Sequence, residues 1–203
     1  MEEFEEELNA RGYMFPAGID EAGRGPLAGP LVAAAVILPL ALYLPGLDDS
    51  KRLTPAKREE LFQSISASAA VGVGIVSPPE IDRLNIFNAT RRAMVLAVKD
   101  LPRQADFLLI DGNASLPMPL PQLTIIKGDQ RCASIAAASI VAKVTRDRIM
   151  TDLHQCYPQY NFHIHKGYPT RDHCQAIQIH GPCEVHRKSF RRVREFFFFG
   201  KRI

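Results

Sequence analysis

Residues 18–30 read GIDEAGRGPLAGP, and this stretch decides the fold. Two adjacent acids, Asp20 and Glu21, stand between an apolar lead-in and a segment too rich in glycine and proline for a strand or a helix. The apolar run LVAAAVIL follows at 31–38 and has the length of a buried strand. The pattern predicts strands at 14–20 and 30–38, with two negative charges where the first strand ends.

Three more strands are predicted from short apolar runs farther along the chain, at 69–76, 106–112 and 122–129. Three consecutive strands can pair as an antiparallel meander, whereas later strands that return through helices tend to be parallel. Capping signals and helical spacing predict helices at 55–67, 78–99 with a break near Asn85, about 132–157, and 170–180. The expected fold is an α/β mixed sheet flanked by helices, with a helical C-terminal portion.

Length and composition set further bounds. A chain of 203 residues suits a single domain, here with an acidic N-terminal arm over 1–14 and a helical, basic portion over about 158–203. No apolar run reaches the ~18 residues of a membrane span, and the acidic start lacks the basic region of a secretory signal. Four cysteines without a CxxC pair indicate reduced thiols, so a cytoplasmic location is expected.

The net charge of +3 understates the basic character of the chain. The first ten residues hold five Glu, and without them 25 Lys and Arg face 17 Asp and Glu. Seven basic residues and one acid lie between Arg187 and Arg202. This distribution favours a polyanionic partner such as nucleic acid, although a solvated basic surface explains the charge equally well.

Two more acids stand where apolar strands stop. Asp111 ends FLLID, and Asp129 follows LTIIK. Sites in open α/β sheets form where strands end, so these acids could converge with Asp20 and Glu21. Any one of them alone is more often a cap or turn residue. Together, hard oxygen ligands without Cys or His favour Mg²⁺ or Mn²⁺ over zinc.

The glycine-rich segment also admits a dinucleotide-binding interpretation, because Gly23-Arg24-Gly25 resembles the start of GxGxxG. That match is weak: Pro26 and Gly29-Pro30 do not open a helix, and the preceding acids would repel a pyrophosphate. Glycines that bring main-chain amides and one arginine beside a metal site suit a sugar-phosphate chain better.

GIDEAGRGPLAGP resembles the first motif of the bacterial type 2 ribonucleases H, the ribonuclease HII family. Further matches follow in the order of that family from about Gly18 to Phe190: DDSKRLTPAKRE, IDGN, KGDQRCASIAAASIVAKVTRDR, HKGYPT and HRKSF. The resemblance implies a ribonuclease H-like fold, hydrolysis of RNA in RNA–DNA hybrids, and cleavage beside single ribonucleotides in duplex DNA. It implies a two-metal mechanism that leaves 5′-phosphate and 3′-hydroxyl ends, with the cut on the 5′ side of the ribonucleotide.

The resemblance also implies roles for individual residues. The catalytic, metal-binding acids of the family fall on Asp20, Glu21, Asp111 and Asp129. Substrate contacts are expected from Gly23, Arg24, Gly25, Lys51 and the substrate-sensing Tyr168. No organic cofactor is implied, and the chain is expected to act as a monomer. Cys132 stands where the family commonly has serine, and a thiol is a weaker hydrogen-bond partner for a phosphate.

Other residues admit competing interpretations. Six histidines after residue 150, with Cys174 and Cys183, lack a zinc-ligand spacing, so His165, His173 and His186 are expected to bond to backbone or approach phosphate. Lys143 and Arg146 are expected to contact phosphates or to form a solvated helix face. The aromatic run Phe196–Phe199 is a possible docking tail for a protein partner, but packing on the core is favoured.

Two rival functions stay open at this point. A resolvase-like or transposase-like DNA nuclease would share the fold class and the acids. A hybrid-binding protein without catalysis would share the basic surface. Incubation with a duplex that holds one ribonucleotide, with and without Mg²⁺, separates these functions from a ribonuclease.

Overall fold

The computed structural model describes residues 3–40, 42 and 44–199. For residues 198 and 199 it describes only the backbone. The chain divides into two compact units. The first consists of Met1–Ala22, Val32–Ile75 and Arg91–Val144, and the second of Gly23–Leu31, Val76–Thr90 and Thr145–Ile203. The single domain expected from length stays a prediction.

A five-stranded mixed sheet is formed by β1 (Pro16–Ala22), β2 (Leu31–Ile37), β3 (Ala70–Val76), β4 (Phe107–Asp111) and β5 (Gln122–Ile125). Its strand order is β3-β2-β1-β4-β5. β1 pairs antiparallel with β2 and parallel with β4, and β4 pairs parallel with β5. The predicted fold class is confirmed.

Two strand ends differ from the sequence prediction. β1 extends to Ala22, two residues past the predicted end at Asp20, so both Asp20 and Glu21 lie within the strand. β5 ends at Ile125, and the predicted strand over 122–129 was too long. The chain turns there because Lys127 adopts a left-handed conformation with φ of 54°, and a 3₁₀ turn, Gly128–Gln130, follows.

The helices predicted at 55–67, 78–99, 132–157 and 170–180 lie close to those positions, and the described residues form three further helices, at 3–10, 162–165 and 191–199. The described helices are α1 (Glu3–Ala10), α2 (Pro55–Ser68), α3 (Pro78–Leu84), α4 (Ile86–Asp100), α5 (Ala133–Cys156), α6 (Phe162–His165), α7 (Arg171–His180) and α8 (Arg191–Phe199). The side chain of Thr54 caps α2 by accepting from the amide of Lys57. The break between α3 and α4 occurs at Asn85, with φ of 65°, as the sequence predicts.

Small residues bring α5 against the central strand of the sheet. Ala136, Ala137 and Ala138 are fully buried. A Cβ added at Gly18 of β1 would lie 2.1 Å from the carbonyl carbon of Ser134, so only glycine fits there. Because α5 follows the turn that carries Asp129, this packing ties that turn to β1.

The acidic arm is a helix that packs into the first unit rather than a loose extension. Leu8 of α1 is buried in a cluster with Phe107, Leu109 and Ile135. Glu5 is also buried, and its Oε1 accepts hydrogen bonds from the amide and hydroxyl of Ser134, at 2.8 and 2.7 Å. A carboxylate at this place satisfies the first donors of α5 and interacts favourably with the helix dipole.

The second unit has its own apolar core. Leu27, Met150, Phe162 and Ile177 are buried there, and Phe196 of α8 packs against the cluster. Phe197 is exposed, so the predicted packing of the aromatic run holds for Phe196 among the side chains described. In the described part of the chain, no helix is long and apolar enough to cross a membrane.

Candidate active site

Neighbouring strands bring Asp20 beside Asp111. The parallel register pairs Ile19 of β1 with Ile110 of β4, so the next residue of each strand carries an acid at the same edge of the sheet. Asp20 is buried, and its Oδ1 accepts from the amide of Glu21 at 2.7 Å. The hydroxyl of Ser139, on α5, also hydrogen-bonds to Asp20.

Asp111 organises the turn that presents the fourth acid. Its Oδ1 accepts a hydrogen bond from the amide of Gly128 at 2.7 Å. This bond ties the end of β4 to the 3₁₀ turn that carries the buried Asp129. A bond from a main-chain amide to a carboxylate is charge-assisted and therefore strong for its size.

Mutual repulsion makes the acids a single electrostatic group. Burial raises the pKa of Asp20 well above its ordinary value, and the charges of Glu21 and Asp111 raise it further. Burial also raises the pKa of Asp129, with contributions from Asp49 and Asp111. Carboxylates that disfavour one another's charge are stabilised by a proton or a cation.

Lys51 places a cation beside these acids. Its Nζ lies 3.4 Å from Oδ2 of Asp129 and 3.8 Å from Oδ1 of Asp49. Partial burial works to lower the pKa of Lys51, but Asp49, Asp20 and Asp129 together raise it. The ammonium side chain is about three-quarters exposed, so it is accessible to a ligand.

Asp49, which was not predicted as a site residue, lies in the same DDSK segment as Lys51. Asp49 is buried, and it also interacts electrostatically with Asp129. The neighbouring Ser50 hydroxyl lies 2.8 Å from that of Ser139, which bonds to Asp20. Lys51 and Ser50 therefore hold the DDSK segment to the acid group, and the double Asp was the available signal.

The fit of a metal ion depends on the chemistry of these donors. No three His, Cys, Asp or Glu side chains among the described residues form a group able to hold one metal ion. Mg²⁺ usually takes one or two carboxylates and completes its shell with water and substrate phosphate oxygens. The oxygen donors, the raised pKa values of Asp20 and Asp129, and the ammonium of Lys51 beside them fit that mode of binding.

The glycine-rich segment lies in the second unit and is held by two buried arginines. Gly23 has φ of +98°, and a Cβ there would lie 2.2 Å from Nε of Arg146. Arg187 donates to the carbonyl oxygens of Gly23 and Arg24, at 2.7 and 3.2 Å. Burial lowers the pKa of Arg146 to about 10 and that of Arg187 to about 9, so both stay protonated at neutral pH.

The structure differs from the sequence prediction at both arginines. Arg146 is 1% exposed, so the prediction that it contacts phosphate or solvent is wrong. Its i, i+3 spacing from Lys143, which is half-buried, gave no sign of this because the segment 23–30 covers it only in the folded chain. Arg187, in the HRKSF motif, was missed as a structural partner of the glycine-rich segment.

Tyr168 lies beside Gly25 in the second unit. A Cβ added at Gly25 would lie 3.6 Å from Cε1 of the tyrosine ring, which is an ordinary contact. The ring is 43% exposed. The carbonyl oxygen of Tyr168 accepts from Nδ1 of His173 at 2.9 Å, so the backbone is held while the ring stays accessible.

Three buried histidines form hydrogen bonds with backbone, as expected. His186 Nδ1 accepts from the amide of Cys183 at 3.0 Å, so its Nε2 carries the proton donated to His173 Nε2 at 3.1 Å. His165 Nε2 donates to the carbonyl of Tyr160 at 2.7 Å. Burial lowers the pKa of His173 to about 4 and that of His186 to about 3, so both rings are neutral.

Cys132 is fully buried. Its Sγ donates to Oε1 of Glu5 at 3.1 Å, and burial raises the pKa of the thiol to about 12. Cys132 therefore helps to join α1 to the start of α5 through its hydrogen bond to Glu5.

Comparison with known proteins gives consistent results. The family model described as Ribonuclease HII matches residues 17–193. A curated Ribonuclease HII from Geobacillus kaustophilus (strain HTA426) is 60% identical over 193 residues, which cover 95% of this chain and 74% of that relative.

Solved structures show the same fold. The ribonuclease H2 from Pyrococcus horikoshii OT3 has a TM-score of 0.74 and 28% identity, covering 90% of this chain and 96% of that one. The RNase HII chain in a PCNA complex from Archaeoglobus fulgidus has a TM-score of 0.72 and 25% identity, covering 88% of this chain and 96% of that one.

Proposed function

Since this chain belongs to the ribonuclease HII family, we propose that its acid group binds divalent cations and cuts RNA–DNA substrates on the 5′ side of a ribonucleotide. The chain is an endoribonuclease that hydrolyses RNA in RNA–DNA hybrids. The observation that carries the proposed site is the mutually repelling set of carboxylates at one edge of the sheet, with a lysine beside it. We assign the catalytic and metal-binding roles to Asp20, Glu21, Asp111 and Asp129.

Mg²⁺ or Mn²⁺ is the proposed ion. Such ions, when bound, activate a water molecule and neutralise charge on the phosphate oxygens. The buried Asp20 is a suitable ligand because ionisation of its carboxyl is disfavoured until a cation arrives. Asp111 contributes through one oxygen while the other accepts from Gly128, which fixes the orientation of the carboxylate.

Lys51 is proposed to contact a phosphate of the substrate. Its ammonium group is exposed and anchored near Asp129 and Asp49, so it can exchange these carboxylates for a phosphate once cations neutralise the acids. The side chain then holds the backbone beside the acids. Asp49 keeps the ammonium in place in the free protein.

Ribose recognition is proposed for the glycine-rich segment and Tyr168. Gly23, Arg24 and Gly25 offer main-chain groups to the 2′-hydroxyl, which distinguishes RNA from DNA. A site that bonds a hydroxyl penalises its absence because its own polar groups are left unpaired. The exposed ring of Tyr168, by family resemblance, packs on the next sugar on the 3′ side and prefers a deoxyribose there.

The basic C-terminal region is proposed to hold the duplex backbone. Exposed side chains there include Lys188, Arg191, Arg192 and Arg194. Contacts from such residues to phosphates add affinity without reading sequence. RNA–DNA hybrids and ribonucleotide-containing duplexes are therefore the proposed partners.

Other aspects of the proposal concern partners and location. The Archaeoglobus fulgidus RNase HII forms a complex with PCNA, but here Phe196 of the aromatic run packs on its own unit, so we propose a monomer without docking through that side chain. Four free cysteines support a cytoplasmic location.

A cleavage assay tests the proposed function. The purified chain is incubated with a duplex that holds one ribonucleotide, with Mg²⁺ or with a chelator, and in parallel with branched all-DNA substrates. Cutting only at the ribonucleotide and only with metal is expected. Asp20→Asn should abolish it, whereas the control Asp152→Asn, on the exposed face of α5, should not.

The rival functions give different results. Cutting of branched all-DNA substrates would favour a resolvase-like nuclease. Binding without cutting would favour a hybrid-binding protein. Full activity of Asp20→Asn at saturating Mg²⁺ would remove the site assignment.

A further inference from the structure

Two buried guanidinium groups have no role in the chemistry described so far. Arg146 and Arg187 are 1% and 0% exposed, and both belong to the second unit. Burying a charged side chain is unfavourable unless its environment compensates for the lost hydration. The two positive charges also repel each other. Burial is the main cause of the lowered pKa of Arg187, and the charge of Arg146 is the second. Apolar side chains would fill the same space at lower cost, so these arginines need another explanation.

Their hydrogen bonds go to main-chain carbonyl oxygens of the glycine-rich segment. Arg187 donates through Nε to Gly29 at 3.0 Å and through its terminal nitrogens to Gly23, Arg24 and Pro30, at 2.7, 3.2 and 3.2 Å.

Arg146 donates to further main-chain carbonyl oxygens of the same segment. It donates to Pro30 at 3.0 Å and Ala28 at 3.1 Å, and a third bond reaches the carbonyl of Lys166 at 3.0 Å. Lys166 lies two residues before Tyr168. The two guanidinium groups therefore fix the carbonyl side of the segment along most of its length.

Fixing a carbonyl also fixes the next amide. A trans peptide group is planar, so the N–H of a residue points opposite to the preceding C=O, and the described structure has no cis bonds. Ala28 and Gly29 illustrate this: the carbonyl of Ala28 accepts from Arg146, and the amide of Gly29 donates to Val185 at 2.9 Å. By the same geometry, the carbonyls of Gly23 and Arg24 point towards Arg187, and the next two amides point away from it.

Those two amides belong to Arg24 and Gly25, which are exposed, whereas Gly23 is buried. Two successive N–H groups directed to one side form a concave donor site that suits an oxygen ligand. The requirement for glycine at position 23 follows from Arg146, because a Cβ there would clash with its Nε.

We propose that Arg187, assisted by Arg146, is a positioning residue that orients the amides of Arg24 and Gly25 towards the 2′-hydroxyl of the ribonucleotide. The inference rests on the proposed function, since it assigns the ribose contact to these two amides. The arginines act from behind the segment and do not touch the substrate. Arginine suits this role because its rigid fork of donors reaches several carbonyls at once, which a single ammonium group does not.

The test compares Arg187→Lys with wild type and with the matched control Arg83→Lys, which makes the same change at an exposed position of α3. Equilibrium binding is measured for two duplexes of one sequence, one with a single ribonucleotide and one all-DNA. Ca²⁺ replaces Mg²⁺ in both titrations to limit cutting, and thermal unfolding checks that each variant is folded. The quantity of interest is the ratio of the two dissociation constants, which isolates recognition of the 2′-hydroxyl.

Wild type and Arg83→Lys should bind the ribonucleotide duplex more tightly than the all-DNA duplex. Arg187→Lys should reduce that ratio about tenfold, which is the effect of losing about one charge-assisted hydrogen bond, and leave all-DNA affinity nearly unchanged. A merely structural role would lower the folded fraction and weaken both duplexes alike. An unchanged ratio in folded Arg187→Lys would therefore overturn the inference.

A second variant covers the case in which Arg187→Lys does not fold. Arg146→Lys removes donors to Ala28 and Pro30 but leaves the bonds of Arg187 to Gly23 and Arg24. We expect a smaller fall in the ratio, about threefold, and an unchanged ratio would overturn the inference. If wild type binds the two duplexes equally, the result contradicts the ribose recognition given under the proposed function and not the role of Arg187 alone.

Discussion

Replacement of Asp111 separates its proposed catalytic role from its structural one. Its carboxylate accepts the amide of Gly128 and interacts with the charges of Asp20 and Asp129. Asp111→Asn keeps an oxygen acceptor at the same place but removes the charge. Asp111→Ala removes both. The two variants should share one defect and differ in the other.

Both variants should lose activity. Loss of a charged metal ligand should cost several kcal/mol of transition-state stabilisation, or on the order of 1,000-fold in kcat/KM. The difference is stability, because Asp111→Ala leaves the Gly128 amide without its acceptor. A buried donor that is left without an acceptor costs about 1–3 kcal/mol. For a chain of this size each kcal/mol shifts Tm by about 2–4 °C, so Asp111→Ala should unfold roughly 2–12 °C below Asp111→Asn.

The assay uses both variants under identical conditions. Cleavage of a single-ribonucleotide duplex is followed at saturating Mg²⁺, and unfolding is followed by circular dichroism in the presence of a chelator. If Asp111→Asn keeps more than a tenth of wild-type kcat/KM, Asp111 is not a required ligand. If the two variants unfold at the same temperature, the bond to Gly128 does not stabilise the turn that carries Asp129.

Three further predictions concern other parts of the molecule. Tyr168→Ala should keep metal-dependent cleavage but lower, by about tenfold, the kcat/KM ratio of a single-ribonucleotide duplex to an all-RNA hybrid; an unchanged ratio would make the ring a packing residue. Glu5→Ala should lower the free energy of unfolding by about 1–3 kcal/mol, because Ser134 loses its acceptor at the start of α5, and an unchanged urea midpoint would contradict this. The folded-state pKa of Asp20 is raised, so in chelator its contribution to stability is present below about pH 4 and is lost as pH rises through that pKa. Asp20→Asn should therefore raise Tm relative to wild type at pH 7 more than at pH 4, and an equal difference at both pH values would count against a raised pKa.

Much of the fold was predictable because the local signals agree with one another. The run LVAAAVIL is fully buried as β2, and the Thr54-Pro55 signal starts α2 where expected. The acids were predictable as a set because strands that run parallel place their ends at one edge. Asp20 and Asp111 are adjacent for that reason.

The remaining features depend on contacts that local pattern does not encode. Arg146 lies on a helix with charged neighbours, and only the folded course of segment 23–30 buries it. Arg187 is 157 residues or more from the carbonyls that it holds. Asp49 was not predicted because the motif it shares with Lys51 pointed to the lysine as the site residue. β5 is shorter than predicted because the chain turns at Lys127, which adopts a left-handed conformation.

The most direct test of the central claim is the chemistry of the cut ends. A duplex with one ribonucleotide, labelled separately at the 5′ and 3′ ends of the cut strand, is cleaved with Mg²⁺ and the products are mapped at nucleotide resolution. Metal-assisted attack by water predicts a cut on the 5′ side of the ribonucleotide, with a 3′-hydroxyl on the upstream DNA and a 5′-phosphate on the ribonucleotide. A cut on its 3′ side that leaves a 2′,3′-cyclic phosphate would show that the 2′-hydroxyl is the nucleophile, and would contradict the role assigned to the four acids.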